Sequence, residues 1–377
     1  MKTIVVSGIN LFTGGTLKVM QDCIASLSSF AGDEYAIIAL VHNENQYSSF
    51  ANVRYISYPK SRKSYVYRLY CEYWGFKKLS RQLKPYLWLS LHDVTPNVEA
   101  EKRMVYCHNS FPFYKAGLRG LWLQKSIFLF SLFSRYMYQI NIQKNDYVIV
   151  QQQWLREAFQ RMFSINNIVV STPVYERSVS KKGVKILQKQ TDKFMFFYPA
   201  TPMIHKNLEV VCQAVAILEK EGVYSMEVQL TTNGTENKYA GSIYKKYHSL
   251  KTLRFCGFLK RTEMDQYYQN SDCLVFPSKA ETWGLPLTEA KEHHKSILAA
   301  DLPYARETVG KYDQVKFFDP DNAEELAECM KNCMKGTIAY DQTHEIIYNK
   351  PFTRNWDELF RFLLLGEQPC ESSEKRS

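Results

Sequence analysis

Short apolar runs alternate with longer amphipathic segments along most of this chain of 377 residues. The alternation is typical of parallel β-sheets covered by helices, because each sheet face and each helix has one apolar side to bury. In the first half, the runs predicted as strands are 3–9, 35–41, 104–107 and 146–151. The pattern therefore predicts an α/β fold with a doubly wound, Rossmann-like sheet.

The alternation lapses in a polar, turn-rich stretch at 173–192 and then begins again. The strands predicted after it are 194–198, 226–231, 253–258, 273–277 and 296–300, and the helices are 206–221, 236–249, 261–270, 285–294 and 323–334. We expect an N-terminal domain over 1–172, a linker over 173–192 and a C-terminal domain over 193–350. A helix over 351–368 can pack back on the N-terminal domain. Two tandem doubly wound domains are expected to face one cleft, where the carboxyl ends of such strands bind ligands.

Nine cysteines are scattered without a C-x-x-C pair, which favours free, buried thiols in a reducing compartment. The N-terminus is predicted to be a first strand and not a signal peptide. The most apolar stretch, 121–138, contains Lys125 and Arg135 and falls short of the ~20 uninterrupted residues that span a bilayer. We expect a cytoplasmic protein, with peripheral contact at the inner face of the cell membrane left open.

The most specific motif is ETWGLPLTE, residues 281–289, which follows the predicted strand 273–277. Pro286 suits the first turn of a helix, where its missing N–H leaves no hydrogen bond unmade. Gly284 allows a ligand to approach the backbone closely. A helix that begins at Leu285 directs free N–H groups and a positive dipole end toward the ligand edge of the sheet, which indicates a diphosphate site.

Two carboxylates, Glu281 in the loop and Glu289 one turn into the helix, are placed to accept hydrogen bonds from sugar and ribose hydroxyls. In the alternative interpretation both are surface residues, one of them favoured by the dipole of the first helical turn. Their position after a late strand of the second sheet favours the functional interpretation.

This motif resembles the E-x7-E motif of the family 4 type (group 1) glycosyltransferases, which have the GT-B fold. The resemblance implies that Glu281 contacts the donor sugar and that Glu289 holds the ribose. Residues 198–208 resemble the family's strand, loop and helix around a lysine that neutralises the diphosphate, here Lys206. The same segment supplies Thr201 and Asn207 as further donor-binding candidates.

One departure concerns the Gly-Arg pair that the family usually has five residues before the lysine, where this chain has Ala200 and Thr201. Another basic group must replace the missing arginine, or the enzyme is slower. His205 is one candidate for that group. The alternative is an ordinary histidine on an exposed loop.

In the N-terminal domain, the glycine-rich turn 8–16 contains Gly14 and Gly15 and lacks the G-x-G-x-x-G spacing of a nicotinamide site. It resembles the family's first loop, near the diphosphate and the acceptor. His108 ends another strand and aligns with a histidine that the family places near the donor sugar. A purely structural role is its alternative.

Other patterns carry less weight. The D-x-D form of Asp319 and Asp321 precedes a helix, so capping is the favoured role. His293 and His294 lack partners at metal-ligand spacing. The resemblance likewise implies no required metal and no cofactor besides the nucleoside diphosphate sugar.

The excess of basic residues belongs entirely to the first half. Residues 1–170 contain 20 basic and 10 acidic side chains, and the remainder contains 28 of each. Two segments, Lys60–Lys84 and Phe111–Tyr138, combine basic and aromatic side chains, a composition that suits an anionic membrane surface or single-stranded nucleic acid. The donor motif favours the membrane and no nucleic acid. The alternative is an ordinary core with a solvated basic surface.

Together these features predict a hexosyltransferase-type, retaining glycosyltransferase. It would move a sugar from a nucleoside diphosphate sugar to a glycan or lipid-linked oligosaccharide acceptor in surface polysaccharide synthesis. Two alternatives stay open. One is a sugar-nucleotide epimerase on the same fold, and the other is a catalytically silent protein that binds polyanions or scaffolds an assembly.

Overall fold

A computed structural model of the chain describes residues 1–114, 117, 119–173 and 192–367. These residues divide into two compact units. The first unit comprises the described parts of Met1–Asn109, Ser134–Glu176 and Tyr348–Ser377. The second comprises those of Ser110–Phe133 and Arg177–Ile347.

Seven strands and six α-helices occupy the first half of the chain. The strands are β1 (Lys2–Ser7), β2 (Tyr35–Val41), β3 (Val53–Ser57), β4 (Leu87–Ser90), β5 (Lys102–Cys107), β6 (Tyr147–Val150) and β7 (Ile168–Ser171). The helices are α1 (Gly14–Ala31), α2 (Tyr65–Tyr70), α3 (Phe76–Leu83), α4 (Arg119–Leu123), α5 (Lys125–Gln139) and α6 (Gln153–Phe163). A wider π-helical turn, Cys71–Gly75, joins α2 to α3.

The second half repeats the alternation. Its strands are β8 (Phe194–Tyr198), β9 (Met226–Leu230), β10 (Leu253–Phe255), β11 (Cys273–Phe276), β12 (Ser296–Ala300), β13 (Val315–Phe318) and β14 (Phe352–Thr353). Its helices are α7 (Leu208–Lys220), α8 (Lys238–Tyr247), α9 (Arg261–Asn270), α10 (Leu285–Glu292), α11 (Pro303–Val309), α12 (Ala323–Lys335) and α13 (Trp356–Phe360), the last followed by a π-helical turn, Arg361–Leu365.

Both sheets are parallel throughout. The order in the first unit is β14-β7-β6-β5-β4-β1-β2-β3, and in the second it is β10-β9-β8-β11-β12-β13. Central strands are buried on both faces, as in the Ile4-Val5-Val6 run of β1, because helices cover both sides of such a sheet. The prediction of two doubly wound α/β domains is confirmed.

The boundaries differ from the prediction at residues 110–133, which the N-terminal domain was expected to contain. They belong to the second unit, because Phe111 packs against His205 and Gln124 bonds to the loop at 202–204. The expected linker, 173–192, lies almost wholly outside the described residues.

The predicted helix over 351–368 begins instead as a strand. Phe352 and Thr353 pair with Val170 and Ser171 of β7, and the helix starts only after Asn355, whose side-chain oxygen accepts the N–H of Glu358 at 2.8 Å. Thr353 is fully buried at the end of the first unit's sheet. The short strands β3, β4, β7 and β13 are further elements that the prediction had not included.

The eight described cysteines are free thiols, and seven of them are buried. Within the described helices, none combines the length and apolar character needed to cross a membrane.

Candidate functional site

A cavity of about 400 Å³ opens in the second unit where four neighbouring strands end. The loops that follow β8, β9 and β10 contribute to it together with the helix that follows β11, as expected for the ligand edge of a parallel sheet. Its lining consists of Pro199, Ala200, Thr201, Pro202, Thr231, Glu236, Phe258, Leu259, Arg261, Met264, Leu285, Pro286 and Glu289.

The N-terminus of α10 borders this cavity through Leu285 and Pro286. Gly284, just before the helix, has a φ of 83°, a conformation that side chains rarely adopt. A Cβ atom there would lie 3.2 Å from the ring of Phe276 and 3.3 Å from Leu287. Glycine is therefore required by backbone conformation and by packing, and it lets the free N–H groups of α10 face the cavity edge.

Glu289 lies in α10 with its carboxylate against the guanidinium of Arg261, the first residue of α9. Glu289 is buried, whereas the Arg261 side chain is half exposed. The acid is thus fixed by a charge-assisted hydrogen bond, while the cation still reaches the cavity. Arg261 supplies a positive charge beside the helix N-terminus, which the sequence analysis had not identified.

Lys206 and Glu281 form a second ion pair of the same kind. Lys206 ends the turn after β8 and Glu281 follows β11, and these two strands are paired. Both side chains are largely buried, and they lie outside the lining of the cavity. The structure thus brings together the predicted lysine and the first predicted glutamate.

Two tyrosine hydroxyls donate hydrogen bonds to the backbone segments that carry this ion pair. The Tyr198 hydroxyl donates to the backbone oxygen of Lys206, and the Tyr304 hydroxyl donates to that of Ser278 at 2.6 Å. Burial raises the pKa of both phenols well above its usual value, and the nearby charge of Glu281 adds to this rise. Both phenols therefore remain protonated donors at all physiological pH values.

His205 does not replace the missing arginine. Its side chain is only 6% exposed, and its ring lies against those of Phe111 and Tyr114. Burial, together with the charge of Lys206, lowers its pKa to about 3, so the imidazole is neutral. Both the expected cation and the alternative of an exposed loop histidine are wrong, because residues 110–114 cover this position.

The side chains of Gln124 and Asn237 form hydrogen bonds with the backbone of the loop that carries Thr201. Gln124 accepts the N–H of Ile204 at 2.8 Å and donates to the backbone oxygen of Pro202 at 3.4 Å. Asn237 donates to the same oxygen at 2.7 Å. Thr201 itself lines the cavity, in agreement with its predicted place.

The side chain of Asn207 bonds to the protein backbone, whereas the resemblance implies that it binds the donor. Its φ is 56°, and its side-chain nitrogen donates to the backbone oxygens of Pro277 and Pro320 at 3.3 and 2.7 Å. These bonds occupy both of its N–H groups, so the amide joins three chain segments beneath the site.

The remaining predicted residues lie in the first unit. Gly14, with a φ of 59°, and Gly15 open α1 after β1, and a Cβ on either would meet open space. His108 follows β5, and its backbone N–H donates to Asp93 Oδ1 at 2.8 Å. Its Nε2 lies 3.7 Å from Asp93 Oδ2, and Asp93 has a φ of 71°. The carboxylate of Asp93, a residue with a strained backbone, therefore lies beside the predicted His108.

The D-x-D sequence precedes α12, but neither aspartate side chain caps that helix. Asp319 accepts the N–H of Asp321 at 2.9 Å, and the neighbouring Asn322 caps α12 by accepting the N–H of Glu325 at 3.0 Å. Over the described ranges, no three His, Cys, Asp or Glu side chains are grouped so as to hold a metal ion.

Residues 180–350, which contain the cavity and both ion pairs, match the model of the "Glycosyl transferases group 1" family. The structure resembles sucrose-phosphate synthase from Thermosynechococcus elongatus, with a TM-score of 0.64 and 12% identity over 89% of this chain and 90% of that one. That likeness shows the GT-B fold.

Two curated relatives match more locally. The GtfA subunit of UDP-N-acetylglucosamine–peptide N-acetylglucosaminyltransferase from Streptococcus parasanguinis is 23% identical over 42% of this chain. The O-antigen chain mannosyltransferase RfbU from Salmonella typhimurium is 19% identical over 54% of this chain. The matches span only 30% and 56% of these relatives' lengths. Residues 180–350 thus match the group 1 glycosyltransferase model, and the chain has the GT-B fold.

Proposed function

We propose that the protein transfers a sugar from a nucleoside diphosphate sugar to a glycan or lipid-linked oligosaccharide, with retention of anomeric configuration. The observation that carries this proposal is the pairing of Lys206 with Glu281 and of Arg261 with Glu289 around the start of α10. Two cations and a helix N-terminus are the groups that a diphosphate requires. Two carboxylates are the groups that sugar and ribose hydroxyls require.

Each ion pair exchanges partners when the donor binds. The diphosphate takes the positive charges of Lys206 and Arg261, and the released carboxylates of Glu281 and Glu289 accept hydrogen bonds from the sugar and the ribose. The leaving nucleoside diphosphate gains negative charge in the transition state. The cations that stabilise that charge therefore lower the barrier. Arg261 thereby takes the role that an arginine at position 201 has elsewhere in the family.

The acceptor hydroxyl transfers its proton to the leaving phosphate on the same face of the sugar, so no protein nucleophile is required. The name of the Streptococcus relative includes a nucleotide-linked donor and a peptide acceptor, and that of the Salmonella relative includes an O-antigen chain. The first name supports the donor and the second supports a glycan acceptor. With a donor of known anomeric configuration, NMR of the product tests retention, and an inverted product would contradict it.

Transfer and donor hydrolysis by Lys206→Ala and Glu281→Gln test the site. We expect the rate to fall at least a hundredfold for Lys206→Ala, because the leaving group loses a cation. Lys331→Ala is the control, since Lys331 pairs with Glu221 in the same unit outside the cavity lining. Wild-type rates in both site variants would contradict the assignment. An isomerised nucleotide sugar formed without acceptor would identify an epimerase, and binding without turnover a silent scaffold.

The proposal includes peripheral contact with an anionic membrane through Lys60–Lys84. Val66, Tyr70 and Trp74 recur every four residues on α2 and the π-helical turn, and are 76%, 56% and 64% exposed. This spacing forms one apolar stripe flanked by lysines and arginines, the composition of an interfacial helix.

The second basic and aromatic segment, Phe111–Tyr138, contains both aromatic rings that pack inside the protein and aromatic rings that are exposed. Phe111 packs with Phe130 and His205 inside the second unit and is not a membrane residue. Trp122 and Phe133 are exposed and remain candidates for the surface contact.

A further inference from the structure

A second group of polar side chains lies in the first unit, where β1 and its neighbour β4 end. The two terminal guanidinium nitrogens of Arg68 donate to Asn10 Oδ1, at 3.2 and 3.3 Å. Asn10 Nδ2 in turn donates to His92 Nδ1 at 3.2 Å. His92 Nε2 in turn lies 2.9 Å from Glu72 Oε1, a close contact without hydrogen-bond geometry. Arg68, Asn10 and His92 thus form one chain of hydrogen bonds, and Glu72 lies against its inner end.

The inner end of this chain is uncharged at neutral pH. Glu72 and His92 are fully buried. Burial raises the pKa of Glu72 to about 8, despite the opposing charge of Arg68, and lowers the pKa of His92 well below its usual value. Burial of a charge without full compensation is costly, so both groups stay neutral. They therefore orient Arg68 without cancelling its charge.

Arg68 itself is half-buried on α2 and reaches the loop between β1 and α1. Among the residues that the structure describes, no carboxylate forms an ion pair with it. A second guanidinium, that of Arg62, lies over the ring of Phe12 in the same loop, 5.1 Å from the ring centre. Two cations thus border one loop at the ligand edge of this sheet.

We propose that Arg68, assisted by Arg62, binds a phosphate or diphosphate group of the acceptor. The inference rests on the proposed function and names the chemistry of its acceptor. A planar guanidinium binds phosphate oxygens through two parallel hydrogen bonds, and its orientation is fixed here by Asn10, His92 and Glu72. The buried chain therefore positions Arg68, and Arg68 contacts the ligand.

The place of Arg68 on α2 agrees with an acceptor anchored in lipid. Arg68 lies two positions from Val66 and from Tyr70, so it projects from the opposite side of the helix to the apolar stripe. One face of α2 can thus meet a membrane while the other binds a phosphate. The same chemistry would also suit a soluble phosphorylated glycan, and the experiment separates these two sources.

Binding to the full-length chain tests the proposal with three probes: inorganic pyrophosphate, farnesyl diphosphate, and phosphatidylcholine vesicles containing 20% phosphatidylglycerol. Titrations are made in the wild type and in the Lys206→Ala background, which weakens binding of these probes at the donor site. We expect Arg68→Gln to weaken binding of both diphosphates at least tenfold in each background, and Arg68→Lys to weaken it less. Arg81→Gln is the matched control, because Arg81 lies on α3 in an exposed pair with Glu99.

Tighter binding of farnesyl diphosphate than of pyrophosphate supports a lipid-linked acceptor, and equal binding supports a soluble one. Wild-type affinity of Arg68→Gln for both diphosphates, with an unchanged unfolding midpoint, would overturn the proposal. So would a response confined to vesicles. UDP binding, measured separately, reports on the donor site. Its absence in the wild type would count against the proposed function and not against the Arg68 assignment.

Discussion

Arg261 donates a hydrogen bond to the carboxylate of Glu289, although the two residues lie on different helices and 28 positions apart. The pair brings a cation to the edge of the cavity. Its geometry leads to the first prediction.

Arg261→Gln should raise the KM for the donor about tenfold and lower kcat further, because the diphosphate loses a charge-assisted hydrogen bond in the ground state and in the transition state. Steady-state kinetics with the nucleotide sugar measure both constants. Arg254→Gln is the control, since Arg254 is an exposed residue of β10 that lies 3.6 Å from Glu227. Equal kinetics for the two variants would show that Arg261 does not contact the donor.

Gly284→Ala should destabilise the protein more than Gly336→Ala does. Both glycines have a positive φ, 83° and 67°, so both substitutions strain the backbone by about 1 kcal/mol. Only at Gly284 does the new Cβ also meet side chains, within 3.2 to 3.4 Å, while at Gly336 it meets open space. Urea unfolding should show an additional loss of about 1–3 kcal/mol at Gly284. Equal losses would mean that Phe276 and its neighbours move aside freely.

Glu72→Gln should become more stable relative to the wild type as the pH rises. The folded protein holds the pKa of Glu72 at about 8, above its ordinary value of 4.5, so the protonated carboxyl is the form that the fold favours. The stability that this preference provides is complete below pH 4.5 and is lost as the pH rises through 8. Glutamine is neutral throughout and is free of this loss.

The difference in unfolding free energy between the variant and the wild type should therefore grow between pH 5 and pH 8, by at most about 1.4 kcal/mol per pH unit. Urea titrations at the two pH values measure it. Glu99→Gln, which removes an exposed acid paired with Arg81, should differ from the wild type by a similar, small amount at both values. A difference for Glu72→Gln that stays constant with pH would contradict a neutral buried carboxyl.

Trp74→Ala should lower the partition coefficient for vesicles containing phosphatidylglycerol about tenfold, since an exposed indole that inserts at the interface contributes of the order of 1–3 kcal/mol. Cosedimentation measures the bound fraction. Tyr224→Ala removes an exposed aromatic ring from the second unit and should leave binding unchanged. Equal binding by all three proteins would exclude the stripe on α2 as a contact surface.

The strand and helix pattern of the second unit could be predicted because its signals are local. The run at 273–277, the glycine and the proline that follow it, and the helix after them lie within about twenty consecutive residues. Strands β3 and β4 were missed because they are only five and four residues long. Strand β3 is also half-exposed and lacks a clear apolar run, whereas the Leu-Trp-Leu run of β4 is apolar but short.

The details of the site depend on contacts between distant parts of the chain. The partner of Glu289 follows β10, the ring that covers His205 belongs to Phe111, and the side chain that holds the loop at 202–204 is Gln124. No spacing in the sequence relates these positions. Composition locates the excess of basic residues in the first half. It does not reveal that Glu72 and His92, behind Arg68 in the same cluster, are neutral.

The order of the two units along the chain has a consequence for synthesis. The backbone changes unit after Asn109, Phe133 and Ile347, and the described residues on either side of 174–191 also belong to different units, so neither unit is one continuous stretch. A nascent chain that ends near residue 340 lacks β14 and α13, and with them the partner of β7 and the cover over α1. A fragment that begins at residue 193 lacks Gln124 and Phe111. The core of the first unit is therefore complete only when residues 352–364 have left the ribosome, and each unit loses packing partners when the chain is divided between its halves.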